Sequence, residues 1–154
     1  MKKLLSRFHD QRGFTLIEVL VVIGILSVLL LITLVAINPS RQFASANNTQ
    51  RNSDVNAILN AINQYASDNK GQLPAGISTT NQEIASTGAD LCDLLVTDYI
   101  AALPSDPLTG SAVTEAGCAA AYGTGYYVVS SATNNRVTVS APSAELGASI
   151  SATR

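Results

Sequence analysis

The run from Phe14 to Ile37 restricts this chain most, because apolar residues follow one another with little interruption. A helix needs about 20 such residues to cross a hydrocarbon layer roughly 30 Å thick. The run holds no Pro and a single Gly, Gly24, which membrane helices tolerate. Glu18 is its one ionisable residue. A lone carboxylate at that depth costs about 2.5–3.5 kcal/mol on insertion scales, so such a residue has a function and a partner. Phe14 lies four residues earlier, on the same helical face. Were the chain cut between Gly13 and Phe14, the new α-ammonium would open the helix near Glu18. That cation is a candidate partner, in the same chain or in a neighbour.

Charge is distributed unevenly around this run. Lys2, Lys3, Arg7 and Arg12 face only Asp10 in the first thirteen residues, while five basic and ten acidic residues remain beyond them, of totals of 9 and 11. A net-acidic remainder argues against nucleic-acid binding by simple charge attraction. Positive flanks stay cytoplasmic, so the N-terminus is expected inside and everything after Ile37 outside. A secretory signal loses its apolar region on cleavage. Here that region follows Gly13 and would survive a cut there.

Gly13-Phe14-Thr15-Leu16-Ile17-Glu18 after a short basic leader resembles the processing site of type IV pilins and of type II secretion pseudopilins. The resemblance covers about the first 25 residues. It implies cleavage after Gly13 by a prepilin peptidase, N-methylation of Phe14, and a role for Phe14 and Glu18 in docking subunits. The implied partners are further copies of the chain, other pilins, the peptidase/methyltransferase and an inner-membrane assembly machinery. The implied location is the cytoplasmic membrane with the N-terminus inside, then an extracellular filament or a periplasmic pseudopilus.

Past Ile37, Pro39 offers no N–H to the carbonyl of Val35 and crowds that turn, which predicts a kink or break. The proline common in the family would fall near Val35, about one turn earlier. Val55, Ile58, Leu59, Ile62, Tyr65 and Ala66 then recur at helical spacing, and Asp68-Asn69-Lys70-Gly71 is a stop with Gly71 suited to a left-handed position. The expected organisation is a removable leader at 1–13, a transmembrane or filament-core helix at 14–37, its amphipathic continuation at 38–71 and a globular head at 72–154. One kinked helix from Phe14 to Lys70 would measure roughly 85 Å if straight.

Within the head, residues 75–90 are rich in Ser, Thr, Asn and Gly and read as an exposed loop. Leu91, Leu94 and Leu95 predict a short helix over about 89–97, and Pro104 and Pro107 end regular structure. Tyr126-Tyr127-Val128-Val129 and Val137-Thr138-Val139-Ser140 predict a hairpin about Thr133-Asn134-Asn135, with Val137 and Val139 facing the spine helix. A hairpin alone is marginal. A third strand is therefore expected around 112–114 or 148–152. The fold class is α+β: a long kinked N-terminal helix carrying a small antiparallel sheet, as in pilins.

Cys92 and Cys118 both fall in the exported part, where disulfides persist; pairing and two separate thiols both remain open, and the pairing resembles that of many pilins. The single His, His9, lies in the leader, and no second Cys pair accompanies the first, which speaks against zinc. Asp90, Asp93, Asp98 and Asp106 cluster in sequence and could offer oxygens to calcium. Leu103-Pro104-Ser105-Asp106-Pro107 looks like a loop of calcium-holding pseudopilin heads, but the spacing lacks the alternating acids of a dedicated loop. Solvated turn carboxylates are the plainer reading, and no cofactor is expected. Arg51 and Asp54 are expected on the wet helix face. No catalytic constellation is present, so the expectation is a structural subunit of a pilus-like filament rather than an enzyme. Its alternatives are a pseudopilin and a monomeric membrane-anchored binding protein.

Overall fold

The computed structural model describes residues 13–111 and 113–154. The basic leader through Arg12, including His9, lies outside the described residues, as does Ala112. The remainder divides into two compact units that meet at Pro39–Ser40.

In the first unit, α1 spans Leu16–Ile37, and Thr15 caps it with extended backbone and a side chain that accepts the Glu18 N–H. The described side chains from Leu16 to Ala36 are all exposed. Ser27 and Thr33 donate their hydroxyls to the carbonyls of Ile23 and Leu30, at 2.7 and 2.9 Å. No side-chain polarity is thus left outstanding on the apolar surface beyond Glu18.

The helix ends at Asn38, which is left-handed at φ 45° and ψ 78°. A residue before proline avoids the helical region, and Asn is among the side chains that best tolerate left-handed backbone. Pro39 then opens α2, Pro39–Asp68, at a position where a missing N–H costs nothing. The break therefore lies one residue before the proline.

The second unit is the head. Arg51, Asp54, Val55, Ile58, Leu59, Ala61 and Ile62 form the buried face of α2. The helix stops where Gly71 donates to the Ala66 carbonyl at 2.7 Å, with both Lys70 and Gly71 at positive φ. The chain continues through β1 (Gln82–Ala85), α3 (Cys92–Leu95), β2 (Ala102–Leu103), β3 (Val113–Thr114), α4 (Glu115–Cys118), β4 (Gly123–Ser130), β5 (Val137–Ala141) and β6 (Ile150–Thr153).

The main sheet is antiparallel with order β1-β4-β5-β6. The hairpin forms as expected, with Val128 opposite Val139 and Asn135 at φ 54° in the turn. Thr124, Tyr126, Val128, Val137, Val139 and Ala141 point inward, and all but Thr124 join Val55, Ile58, Leu59, Ala61 and Ile62 of α2 in one core with Ile84, Leu91, Leu95 and Leu103. Each large side chain so buried contributes about 1.5–3 kcal/mol.

The third strand forms at the second of the two stretches expected for it, as Ile150–Thr153 on β5, while Val113–Thr114 pairs with β2 in a separate two-stranded ribbon. One expectation needs correction. The loop expected over 75–90 contains β1, an edge strand on β4.

Candidate functional site

Gly13-Phe14-Thr15 leads directly into α1. Thr15 and Glu18 occupy the first and last places of a capping box. The backbone half of that box is made, with Glu18 N 3.3 Å from Thr15 Oγ1 and 3.1 Å from its carbonyl. The carboxylate of Glu18 makes no hydrogen bond or ion pair among the described residues and lies exposed in the first turn. Phe14 is 82% exposed. It lines one shallow strip of α1 together with Glu18, Val19, Val22 and Ile23. Phe14 and Glu18 thus share a side of the helix, one turn apart. A carboxylate there faces the positive end of the helix dipole, so the first turn favours an anion before any partner is supplied.

The head carries a second polar constellation, which sequence reasoning misplaced. Arg51 is fully buried and Asp54 nearly so, not on a wet face. Arg51 holds Asp106 through Nε to Oδ2 at 2.6 Å and NH2 to Oδ1 at 3.2 Å, and reaches Glu145 Oε2 at 2.9 Å. Asn48 Oδ1 accepts from the same guanidinium and from the Glu145 N–H. Asp54 accepts the Tyr126 hydroxyl at 2.8 Å and the Gln50 amide. No buried side-chain nitrogen or oxygen among the described residues lacks a partner. The helical spacing of Arg51 with Val55, Ile58 and Ile62 was the signal available: position 51 continues the apolar stripe by one turn.

The electrostatics follow this geometry. Burial opposes ionisation of Asp106, but the Arg51 guanidinium and the N–H groups of Leu108 and Thr109 outweigh it and hold the carboxyl below its ordinary range. Bonds from Arg51 and Asn47 do the same for Glu145. Burial, then the bond to Asp54, pushes the Tyr126 hydroxyl above its ordinary value.

Of the four aspartates considered as oxygen donors, Asp106 is committed to Arg51 and Asp90 accepts the Tyr122 hydroxyl at 2.6 Å. No group of three or more His, Cys, Asp or Glu side chains converges among the described residues. Cys92 and Cys118 form a disulfide, with Cα atoms 5.3 Å apart, that ties α3 to α4.

Among known proteins, residues 8–34 match the family model described as the prokaryotic N-terminal methylation motif, the signature of type IV pilins and pseudopilins. The match includes Gly13, Phe14 and Glu18 and ends inside α1. Neither the curated proteins nor the solved structures yield a match to the chain. The chain joins this motif to a long apolar helix, a second helix and a four-stranded antiparallel sheet, an α+β, pilin-like architecture.

Proposed function

We propose that this chain is a structural subunit of a type IV pilus or pilus-like filament, assembled through α1 after removal of residues 1–13. One observation carries the reading: the methylation motif coincides with a 22-residue helix whose exposed surface is apolar but for Glu18 and two self-satisfied hydroxyls. Hydrolysis of the Gly13–Phe14 peptide bond frees the Phe14 α-amine, and methyl transfer leaves it cationic. A cation at a helix N-terminus opposes the dipole; Glu18 in the same turn offsets it. When anchors leave lipid and pack against one another, apolar burial is retained and Glu18 meets the Phe14 ammonium of its own or a neighbouring chain. Breaking a buried ion pair costs about 3–5 kcal/mol, enough to reject subunits one turn out of register.

Mass spectrometry of the mature protein tests the processing step. The expected chain begins at N-methyl-Phe14; one that begins at Met1 in cells with active peptidase overturns the reading. For assembly, Glu18→Gln is expected to reduce sheared fibres at least tenfold at unchanged membrane levels.

The Leu103–Pro107 segment favours a second reading, a secretion pseudopilin. Loss of enzyme secretion on deletion, without loss of surface fibres, selects that reading.

A further inference from the structure

We infer that the outward face of the four-stranded sheet binds a neutral oligosaccharide, in two adjoining clefts that share Pro142. The clefts measure about 270 and 370 Å³. Strand register builds their floor. Glu83 stands opposite Tyr127, Tyr127 opposite Ser140, and Ser140 opposite Ser151. Each lies on the side of its strand that faces away from the core, opposite to Ile84, Tyr126, Val139 and Ile150. The four form one row across β1, β4, β5 and β6, three strand spacings or roughly 14 Å long. The site lies within the head and depends neither on removal of residues 1–13 nor on assembly.

The first cleft exists because β4 leaves room beside that row. Gly123 and Gly125 place no side chain there: a Cβ at 123 would stand 3.0 Å from Glu83 Oε1, and one at 125 would stand 2.7 Å from Thr109 Oγ1. Gly125 has positive φ, and the β1–β4 ladder slips register between Glu83 and Ala85. Bulges of this kind re-aim side chains and gather beside binding sites. The Gly125 N–H donates to Glu83 Oε1 at 3.1 Å and fixes the carboxylate. Glu83 Oε2 accepts no hydrogen bond among the described residues, and the hydroxyls of Thr109, Tyr127, Ser140, Ser143 and Ser151 make none there either.

The chemistry of the lining selects the ligand. Glu83 is the one charged residue that lines either cleft, so an anion is repelled and a phosphate or sulfate finds no cation. An ionised carboxylate only accepts hydrogen bonds, whereas hydroxyls both donate and accept. A vicinal diol answers both: one O–H donates to Glu83 Oε2, and its oxygens accept from the serine and threonine hydroxyls. Tyr127, between Glu83 and Ser140 in the row, offers a ring whose electron-rich face takes the C–H side of a pyranose. A lone ammonium would satisfy Glu83 and leave the other hydroxyls of the row unused. A short oligosaccharide carries hydroxyls along its whole length and has the reach to engage them all.

Saturation-transfer NMR tests this on the full-length protein in a detergent free of sugar. The probes are neutral tetrasaccharides of glucose, galactose, mannose and N-acetylglucosamine, with a lysine tetrapeptide as the cationic comparison. Saturable binding of at least one tetrasaccharide is expected. Glu83→Gln keeps the oxygen that receives the Gly125 N–H, and Tyr127→Leu keeps apolar bulk on β4; each is expected to weaken that binding at least tenfold. Thr133→Ala, in the exposed hairpin turn, is expected to leave it unchanged. Circular dichroism equal to the parent's and an intact Cys92–Cys118 disulfide report a folded head in each variant. Absence of saturable binding by all four tetrasaccharides overturns the inference. So does binding that either site variant retains in full, or binding of the lysine tetrapeptide alone.

Discussion

A guanidinium removed from water must have its charge and donors met inside the protein, or the fold does not hold. Arg51 meets that condition by joining α2 to the turn at Asp106 and to the loop at Glu145. The turn is shaped to suit. Gly125 has φ +75°, and a Cβ there would stand 2.7 Å from Thr109 Oγ1 and 2.9 Å from the Asp106 Cβ. Arg51→Met leaves the Asp106 carboxylate buried without its partner and is expected to destabilise the head by about 3–5 kcal/mol. The pH dependence has a definite sign. Asp106 and Glu145 have folded values below those of the unfolded chain, about 3.9 and 4.3. Their stabilisation is present above those values and is lost as pH falls through the folded ones. Urea unfolding at pH 7, 5 and 3 is expected to show a steep loss below about pH 4 for the parent and a shallower one for Arg51→Met. Equal slopes would exclude the network as the source.

At the scale of elements, the sequence was most legible where local preference and packing agree. The β4–β5 hairpin has β-branched residues on both strands, two tyrosines on β4 and an asparagine turn, and it forms in the expected place. β1 was not legible: Gln82-Glu83-Ile84-Ala85 has only Ile84 and Ala85 buried and sits among turn-forming residues. Its strand character comes from pairing with β4, with Glu83 opposite Tyr127, a contact no local pattern announces. Arg51 and Asp54 were misread because charge was allowed to override periodicity. The proposed site at Gly13, Phe14 and Glu18 stands out in the sequence because its residues are consecutive or one turn apart. α2 runs against propensity on its outer face, and this gives a measurable consequence. Asn52→Ala and Asn56→Ala each exchange a poor helix former for the best one, so the double variant is expected to stabilise the head by about 1 kcal/mol. Denaturant midpoints at constant m-value check it. A destabilised variant would show that the two amides, which donate to the carbonyls four residues earlier, support the helix.

For the whole molecule, the division at Pro39–Ser40 predicts separability. The core, the four-stranded sheet, the ion network and the disulfide all lie within Ser40–Arg154, and the exposed apolar helix lies outside it. A fragment of residues 40–154 is therefore expected to be soluble without detergent and to unfold in one cooperative step. The disulfide spans 26 residues of sequence, and closing such a loop restricts the unfolded chain by about 3.5 kcal/mol in the entropy model. At this size each kcal/mol shifts the midpoint by roughly 3–6 °C. Reductant should therefore lower the fragment's midpoint by about 10–20 °C while the circular dichroism of the folded state below it stays unchanged. The paired Cys92→Ser/Cys118→Ser variant should match the reduced parent and show no response to reductant. A fragment that aggregates or unfolds gradually would mean that the head depends on α1 for its stability.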